Sequence, residues 1–491
     1  ISNGKTIEKP ASRLPLVAVI LLIMTAISVK ITGFDLRVLA ERGNQFFVIL
    51  GMMIPPRVSY MSQIWKPLFD TIKMSLLGTV VGAVLVVPFA MAASTNVIKS
   101  RLVISVRRLF LSIVRTLPTL VTALIATYVF GLGTLAGTTA IAIFTFAYMG
   151  KILYEEIETV DMGAFEAVEA IGATRVRAFV SAIIPQVLPS YISNGLFCFE
   201  GNVRYAAILG YVGAGVAVRT EERRVGRGGV CRGSPRSTAY QIVVSVIVVA
   251  LIVWSGSAVE FTGGGANGGQ IALNILKGIF HPDPKLLFNF TMQGVPYLLL
   301  ETVCIAFLGT LVGAVLAIPF SFLSASNLMP APIAWLSRMA IMAIRTVPAF
   351  VYGLMFIRVS GPGAFTGLLT MSVCSIGMVS KMYIEAIEDL DIRILESLDA
   401  CGCNTMQKIR YGILPQLIPN FASTVIYRFD INLRDATVLG LVGAGGIGAP
   451  LIFAMNSYRW NEAGAILVGL IVLVLIVEYI STRIRVKLTR G

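Results

Sequence analysis

Thr71 to Phe89 reads TIKMSLLGTVVGAVLVVPF and Thr302 to Phe320 reads TVCIAFLGTLVGAVLAIPF, identical at 11 of 19 positions and offset by 231 residues. Nearly the same offset, 230, carries Arg115-Thr116-Leu117-Pro118 onto Arg345-Thr346-Val347-Pro348. It also carries Arg204 to Gly215 (RYAAILGYVGAG) onto Arg434 to Gly445 (RDATVLGLVGAG), matching at 8 of 12 positions. An offset held over roughly 150 residues is a duplication, not an accident of composition. The chain is a tandem direct repeat. Parallel halves imply a pseudo-twofold axis along a membrane normal, with a pathway between them.

Composition supplies the membrane. The 491 residues are 56% hydrophobic and 13% charged, with a mean hydropathy of +0.82. Soluble domains carry roughly 25% charged residues, so a cytosolic enzyme, a disordered chain and a secreted disulfide scaffold are excluded. The fold class is all-α, a polytopic helical membrane protein. The net charge of +14 reads as the cation excess of cytoplasmic loops, not as a nucleic-acid footprint. Cys198, Cys231, Cys304, Cys374, Cys401 and Cys403 form no CxxC pair and read as small core residues, so neither disulfide nor metal is expected. His281 is the single histidine, and the chain has no GxxxxGK[ST] phosphate loop. No cofactor is expected. If ATP drives this protein, a partner hydrolyses it.

A spanning helix needs about 20 mostly apolar residues. Candidate spans are Pro15 to Thr32, then 72–94, 109–131, 133–150, 186–212, 239–257, 300–324, 333–358, 362–380, 412–440 and 463–481. The first follows Lys5, Lys9 and Arg13 with no small-residue cleavage site behind it, and reads as an uncleaved span with its N-terminus inside. Lys99, Arg101, Arg107 and Arg108, and the tail with Arg483, Arg485, Lys487 and Arg490, then also fall on the cytoplasmic side. Gly78, Gly82, Gly309 and Gly313 read as close helix packing. The cluster Gly213, Gly215, Gly443, Gly445, Gly446 and Gly448 reads as a place where the chain turns back at the outer end of a span.

Between the fourth and fifth spans of each half lies a polar loop. The first holds Glu155, Glu156, Glu158, Asp161, Glu166 and Glu169, then Gly172, Arg175 and Arg177; the second holds Glu385, Glu388, Asp389, Asp391, Glu396 and Asp399, then Gly402, Lys408 and Arg410. Prolines at 185 and 189, and at 415 and 419, mark entry to the next span. Periodicity places Glu166, Ala170 and Gly172 near the end of a short helix, with the glycine free to take the left-handed turn that stops it. A second helix then runs to the proline. Such an elbow beside a membrane is a rigid projection that another protein can grip; a solvated loop is the plainer alternative.

Glu166-Ala167 with Gly172 and Ile183-Ile184-Pro185, and Glu396-Ser397 with Gly402 and Ile413-Leu414-Pro415, resemble the EAA loop of binding-protein-dependent ABC importer permeases. In the second half YGILPQLIP and YRFDINLRDATVLGLVGAGGIG resemble the phosphonate-import permease family over nearly all of 270–491, and over 60–215 more weakly. The resemblance implies a type I ABC importer permease fold. Each coupling helix would sit in a cleft of one subunit of an ABC ATPase dimer, with Glu166, Ala167, Ala170, Gly172, Glu396, Ser397, Ala400 and Gly402 as the ATPase-coupling positions. ATP-driven closure would rock the halves between inward- and outward-facing states, and an extracytoplasmic substrate-binding protein would deliver substrate.

The fifth spans carry Glu200, Asn202 and Arg204, repeated as Asp430, Asn432 and Arg434, with Arg428 extra. A charge in hydrocarbon costs at least about 2.5 kcal/mol, so each needs a partner or water. Glu200 with Arg204, and Asp430 with Arg434, are i, i+4 pairs in the favourable order. They either lock a helix interface or place Arg204 and Arg434 on a cavity where a guanidinium suits an oxyanion. Arg115 and Arg345 are further translocation-pathway candidates that could instead snorkel to the cytoplasmic edge.

Both elbows must face one side, so an even number of spans must separate them; the spans above give five. Residues 216–238, with Arg219, Glu221, Glu222, Arg223, Arg224, Arg227, Arg232 and Arg236, cannot cross a bilayer. The reading is that they replace a lost sixth span through deletion, frameshift or faulty assembly of the sequence, so the repeats run 1–238 and 239–491. The sequence thus points to a fused permease, without catalysis of its own, that imports phosphonate or a related oxyanion (phosphite, phosphate ester). It would be a multi-pass protein of a bacterial inner membrane, bathed in lipid, with both termini cytoplasmic. A permease for another small solute such as an amino acid, and an ion-coupled secondary transporter, are the rival readings; an integral membrane enzyme is disfavoured by the lack of a catalytic constellation.

Overall fold

The computed structural model describes residues 14–52, 59, 61–96, 98, 100–209, 249–257, 268–327, 329–390, 392–404, 407 and 409–489. Among these residues the secondary structure is helical, with no strand. Among the described residues six helical stretches are long and apolar enough to cross a membrane: Ser62–Met91, Thr134–Thr159, Phe179–Ala206, Val295–Ser324, Ala364–Glu388 and Trp460–Val486. They lie within the helices Met61–Met91, Thr134–Thr159, Ile184–Leu209 with the turn before it, Val295–Ser324, Ala364–Glu388 and Trp460–Thr489. Residues 216–238, where the sequence reading puts a lost span, lie outside the described residues, as does most of 239–257.

The spans expected at 109–131 and 333–358 are not single helices. Each is a pair, Arg101–Thr116 with Thr119–Phe130 and Ala331–Thr346 with Ala349–Ser360, bent by 87°. The cause is local: proline forces the residue before it out of the helical region, and Leu117 and Val347 are extended, with ψ of 123° and 122°. Twelve residues of helix reach only about 18 Å, so Thr119–Phe130 cannot cross alone. The pair as a whole runs the length of helix Thr134–Thr159, with Arg108 on Glu158 at one end and Phe130 joined to the other through Gly131 and Gly133.

The core of each repeat is a close helix pair: Met61–Met91 with Thr134–Thr159, and Val295–Ser324 with Ala364–Glu388. Glycine allows the approach. A Cβ on Gly78 or Gly82 would run into Ile141, Ala142 and Thr145, and one on Gly309 or Gly313 into Met371, Ser372 and Ser375. Without a hydrophobic force between helices in lipid, this van der Waals closeness is what holds the pair. Buried hydroxyls spend their protons on their own helix, Thr79 on the Ser75 carbonyl and Thr310 on that of Ala306.

The described residues form two compact units, one of 1–52, 284–457 and 476–491, the other of 53–283 and 458–475. The duplicated sequence and the compact units therefore interleave. In the first unit helix Leu14–Thr32 packs on Val295–Ser324, Phe34 meets Phe365 edge-on and Phe46 stacks on Phe356 at 5.0 Å. In the second, residues 249–257 lie along helix Met61–Met91: Ser255 Oγ donates to the Lys73 carbonyl and Lys73 Nζ sits 4.8 Å over the Trp254 ring. Helix Gly268–Phe280 packs beside Thr119–Phe130 in the same unit, and Gly278 and Gly464 let it touch the start of Trp460–Thr489.

Candidate functional site

The two elbows are built alike. Helix Gly163–Ala170 carries Glu166, Ala167 and Ala170, and helix Ile392–Ala400 carries Glu396, Ser397 and Ala400; all six side chains are exposed. Each helix stops at a left-handed glycine, Gly172 at φ 90° and Gly402 at φ 72°. The 6→1 bonds that close such a stop are present, Ala173 N–H to Val168 O and Cys403 N–H to Leu398 O. The first elbow is seated by Met162 and Phe165 against a cluster with Tyr154, Phe179 and Ile183. At its tip Ile171 is 84% exposed.

The second helix of the elbow does not end at the proline, as the sequence suggested. Arg175–Ala178 runs through a π turn, Phe179–Ile183, directly into Ile184–Leu209. The proline explains the turn. Pro185 has no N–H to give, and the ladder shifts so that Ile184 N–H reaches back five residues to Phe179 O. Gln186 Nε2 donates to Ala182 O at 2.7 Å. The second repeat copies this with the π turn Ile409–Ile413 and Gln416 Nε2 on Gly412 O at 2.8 Å.

Glu158, Glu388 and Arg108, which the sequence reading names only as loop charges, join a set of residues that ties each elbow to the core. In the first repeat Glu158, the penultimate residue of Thr134–Thr159, pairs with Arg108 and accepts from Thr95 N (2.8 Å) and Thr95 Oγ1 (2.5 Å). Arg108 Nε donates to Ala93 O, its guanidinium lies 4.6 Å over Tyr154, and Asn96 Nδ2 donates to Ile157 O. In the second, Glu388 pairs with Arg338 and accepts from Ser326 N (2.9 Å) and Oγ; Arg338 Nε donates to Ser324 O and Asn327 Nδ2 to Ile387 O.

Deeper in each repeat, Asn202 and Asn432 are buried and join three helices. Asn202 Nδ2 donates to Thr79 Oγ1 (2.8 Å) and Thr145 Oγ1 (2.9 Å); Asn432 Nδ2 donates to Thr310 Oγ1 and Ser375 Oγ (both 2.7 Å). The two i, i+4 ion pairs form as spaced. Arg204 and Glu200 meet at 3.0 Å with side chains 41% and 63% exposed. Arg434 and Asp430 meet at 2.5 Å with side chains only 21% and 7% exposed. Arg428 is buried and gives its donors to neutral groups, Nε to Ser375 Oγ at 3.3 Å and Nη1 to Met378 Sδ at 3.0 Å. Asp435, which the sequence reading passed over, feels both Arg428 and Arg434.

Arg115 and Arg345 each occupy the last helical turn before the 87° bend and are half-buried. A cation there faces the free carbonyls of a helix C-terminus; Gly377 makes room for the Arg345 stem. The turn at Gly443 to Ile447 reverses the chain as expected. Gly443, Gly445 and Gly446 have φ of 70°, 77° and 73°, Gly363 N–H donates to Gly443 O, and Ile447 N–H donates to Thr302 Oγ1. Gly213 and Gly215 lie outside the described residues.

Comparison with known proteins follows the repeat. The family model described as binding-protein-dependent transport system inner membrane component matches twice, over residues 85–261 and 317–490. The chain is similar to the phosphate-import permease protein PhnE of Mycolicibacterium smegmatis, 28% identical over 94% of this chain and 93% of that one. It is 36% identical to the phosphite transport system permease protein PtxC of Stutzerimonas stutzeri over 38% of this chain and 68% of that one. It is 38% identical to the putative cryptic phosphonate transport system permease protein PhnE2 of Escherichia coli over 24% of this chain and 97% of that one.

Proposed function

The chain belongs to the family of binding-protein-dependent transport system inner membrane components, and from that premise we propose that it carries phosphonate or a related oxyanion, phosphite or a phosphate ester, across a bacterial inner membrane. It is a multi-pass permease. Its partners are an ABC ATPase dimer at the elbows and an extracytoplasmic binding protein at the opposite end. The elbows, with both termini, face the cytoplasm. The relatives named for phosphate, phosphite and phosphonate support the substrate class.

The observation that carries the reading is the duplicated elbow: two short exposed helices, each stopped by a left-handed glycine and each followed by a π turn that opens a long helix, Ile184–Leu209 or Leu414–Leu439. Two handles of like build fit the two subunits of one motor dimer. Glu166, Ala167, Ala170 and Gly172, with Glu396, Ser397, Ala400 and Gly402, form the docking face. An oxyanion crossing the core would be met by guanidinium groups, whose planar fork matches its oxygens; Arg428 and Arg434 are the foremost of these. The test is co-purification with the ATPase encoded beside this chain. Glu396→Lys with Gly402→Pro abolishes association while the permease stays monodisperse in detergent. A wild-type chain that never binds the ATPase overturns the reading.

A further inference from the structure

We propose that Glu158 and Glu388 are positioning residues that make each elbow and its helix pair move as one body. The inference rests on the reading that the elbows receive the ATPase's motion. The elbow helix begins five residues after Glu158 and four after Glu388, and in the first repeat Met162 and Phe165 seat it on the apolar Tyr154–Phe179–Ile183 cluster. Apolar contacts are non-directional and let a short helix slide or roll. Hydrogen bonds to a carboxylate fix direction as well as distance.

Each glutamate takes donors from two separate elements. Thr95 or Ser326 lies in the turn leaving the long core helix, and Arg108 or Arg338 lies on the helix that precedes the 87° bend. Each arginine reaches back to the same turn through Nε, on Ala93 O or Ser324 O. Three elements are thereby closed into a ring at the elbow end. An isolated surface ion pair contributes little, so stability alone is a weak reason to build this ring twice. The same five interactions recur in a repeat whose neighbouring positions have changed, such as Glu156, which binds Ser190 and Asn194 where the second repeat has Ala386, Asn420 and Thr424. The far side of the same helix pair is pinned to the third helix by Asn202 or Asn432. A push on the elbow therefore has a bonded route to the membrane core.

The experiment uses the full permease with its ATPase and binding protein in proteoliposomes, and measures uptake of phosphate, phosphite and methylphosphonate per ATP hydrolysed. The double variant Glu158→Gln with Glu388→Gln keeps ATPase association and ATP hydrolysis, and loses at least tenfold in uptake per ATP. The control pair Lys151→Gln with Lys381→Gln removes two equally duplicated i, i+4 ion pairs, Lys151–Glu155 and Lys381–Glu385, each formed within one helix; its ratio stays at the wild-type value. An unchanged ratio in the glutamine variant, or an equal fall in the lysine control, overturns the proposal. So does a glutamine variant that no longer binds the ATPase. Should the glutamine variant lose its monodisperse peak, Arg338→Lys, which keeps the charge and forfeits the Nε bond to Ser324, must still lower uptake per ATP several-fold, or the proposal falls. Failure of the wild-type chain to bind the ATPase would instead overturn the docking reading.

Discussion

The third core helices of the two repeats, Ile184–Leu209 and Leu414–Leu439, share their scaffolding and differ in their charges. Both place an asparagine in the same three-helix junction. The first then holds one ion pair, mostly open to solvent. The second holds a nearly buried pair and a buried Arg428, with Asp435 beside them, where the first has Cys198 and Tyr205. The asparagine junction and the glutamate–arginine ring recur in both repeats, whereas the ionised groups along this third helix differ. A single oxyanion needs only one recognition site, and the second repeat is where a buried Arg428 and a part-buried Arg434 share one helix.

That contrast can be broken most sharply at its carboxylates. Asp430→Asn strips the part-buried Arg434 of its buried carboxylate partner, a change that costs about 2–4 kcal/mol, while Glu200→Gln at the open pair costs about 0–1 kcal/mol. Thermal unfolding of the purified permease should show a large drop for the first and almost none for the second; equal drops would erase the distinction. The duplicated scaffold predicts the opposite pattern. Gly82→Val and Gly313→Val should each destabilise by about 1–3 kcal/mol through overpacking, to the same extent in both repeats.

Transport sharpens the comparison further. Arg434→Gln should cut ATP-driven uptake about tenfold, worth about 1.4 kcal/mol, and Arg204→Gln far less. Normal uptake by Arg434→Gln with lowered thermal stability would reduce that pair to a helix lock. A modest effect is expected at the elbows. Gly172→Ala and Gly402→Ala put a Cβ into a left-handed turn at a cost of about 1–2 kcal/mol, seen as a matched, modest loss of ATPase affinity in pull-down titrations.

The repeat, the elbow and the glycine turn were legible because each is local or periodic: a matched stretch, a helix stop at Gly172, a run of glycines before Ile447. The bends were hidden because apolar residues on both sides of Pro118 and Pro348 let a hydropathy window slide over the break. The Arg108–Glu158–Thr95 ring joins residues 50 and 63 apart in sequence, each of a type that is commonplace beside a membrane, so no single window announces it. Its signal was present all the same, in the recurrence of arginine at 108 and 338 and of glutamate at 158 and 388. Arg428 was noticed as an extra charge, but which neutral atoms it would lean on depends on a tertiary contact that spacing does not carry.

Because helix Leu14–Thr32 packs chiefly on Val295–Ser324, it waits after synthesis for a docking surface made about 260 residues later. At roughly 5–20 residues per second, that is a delay on the order of tens of seconds, spent in lipid or in the keeping of the insertion machinery. Biogenesis of this chain cannot finish half by half, and a nascent protein stalled before Val295 would be left with an orphan anchor for quality control to remove.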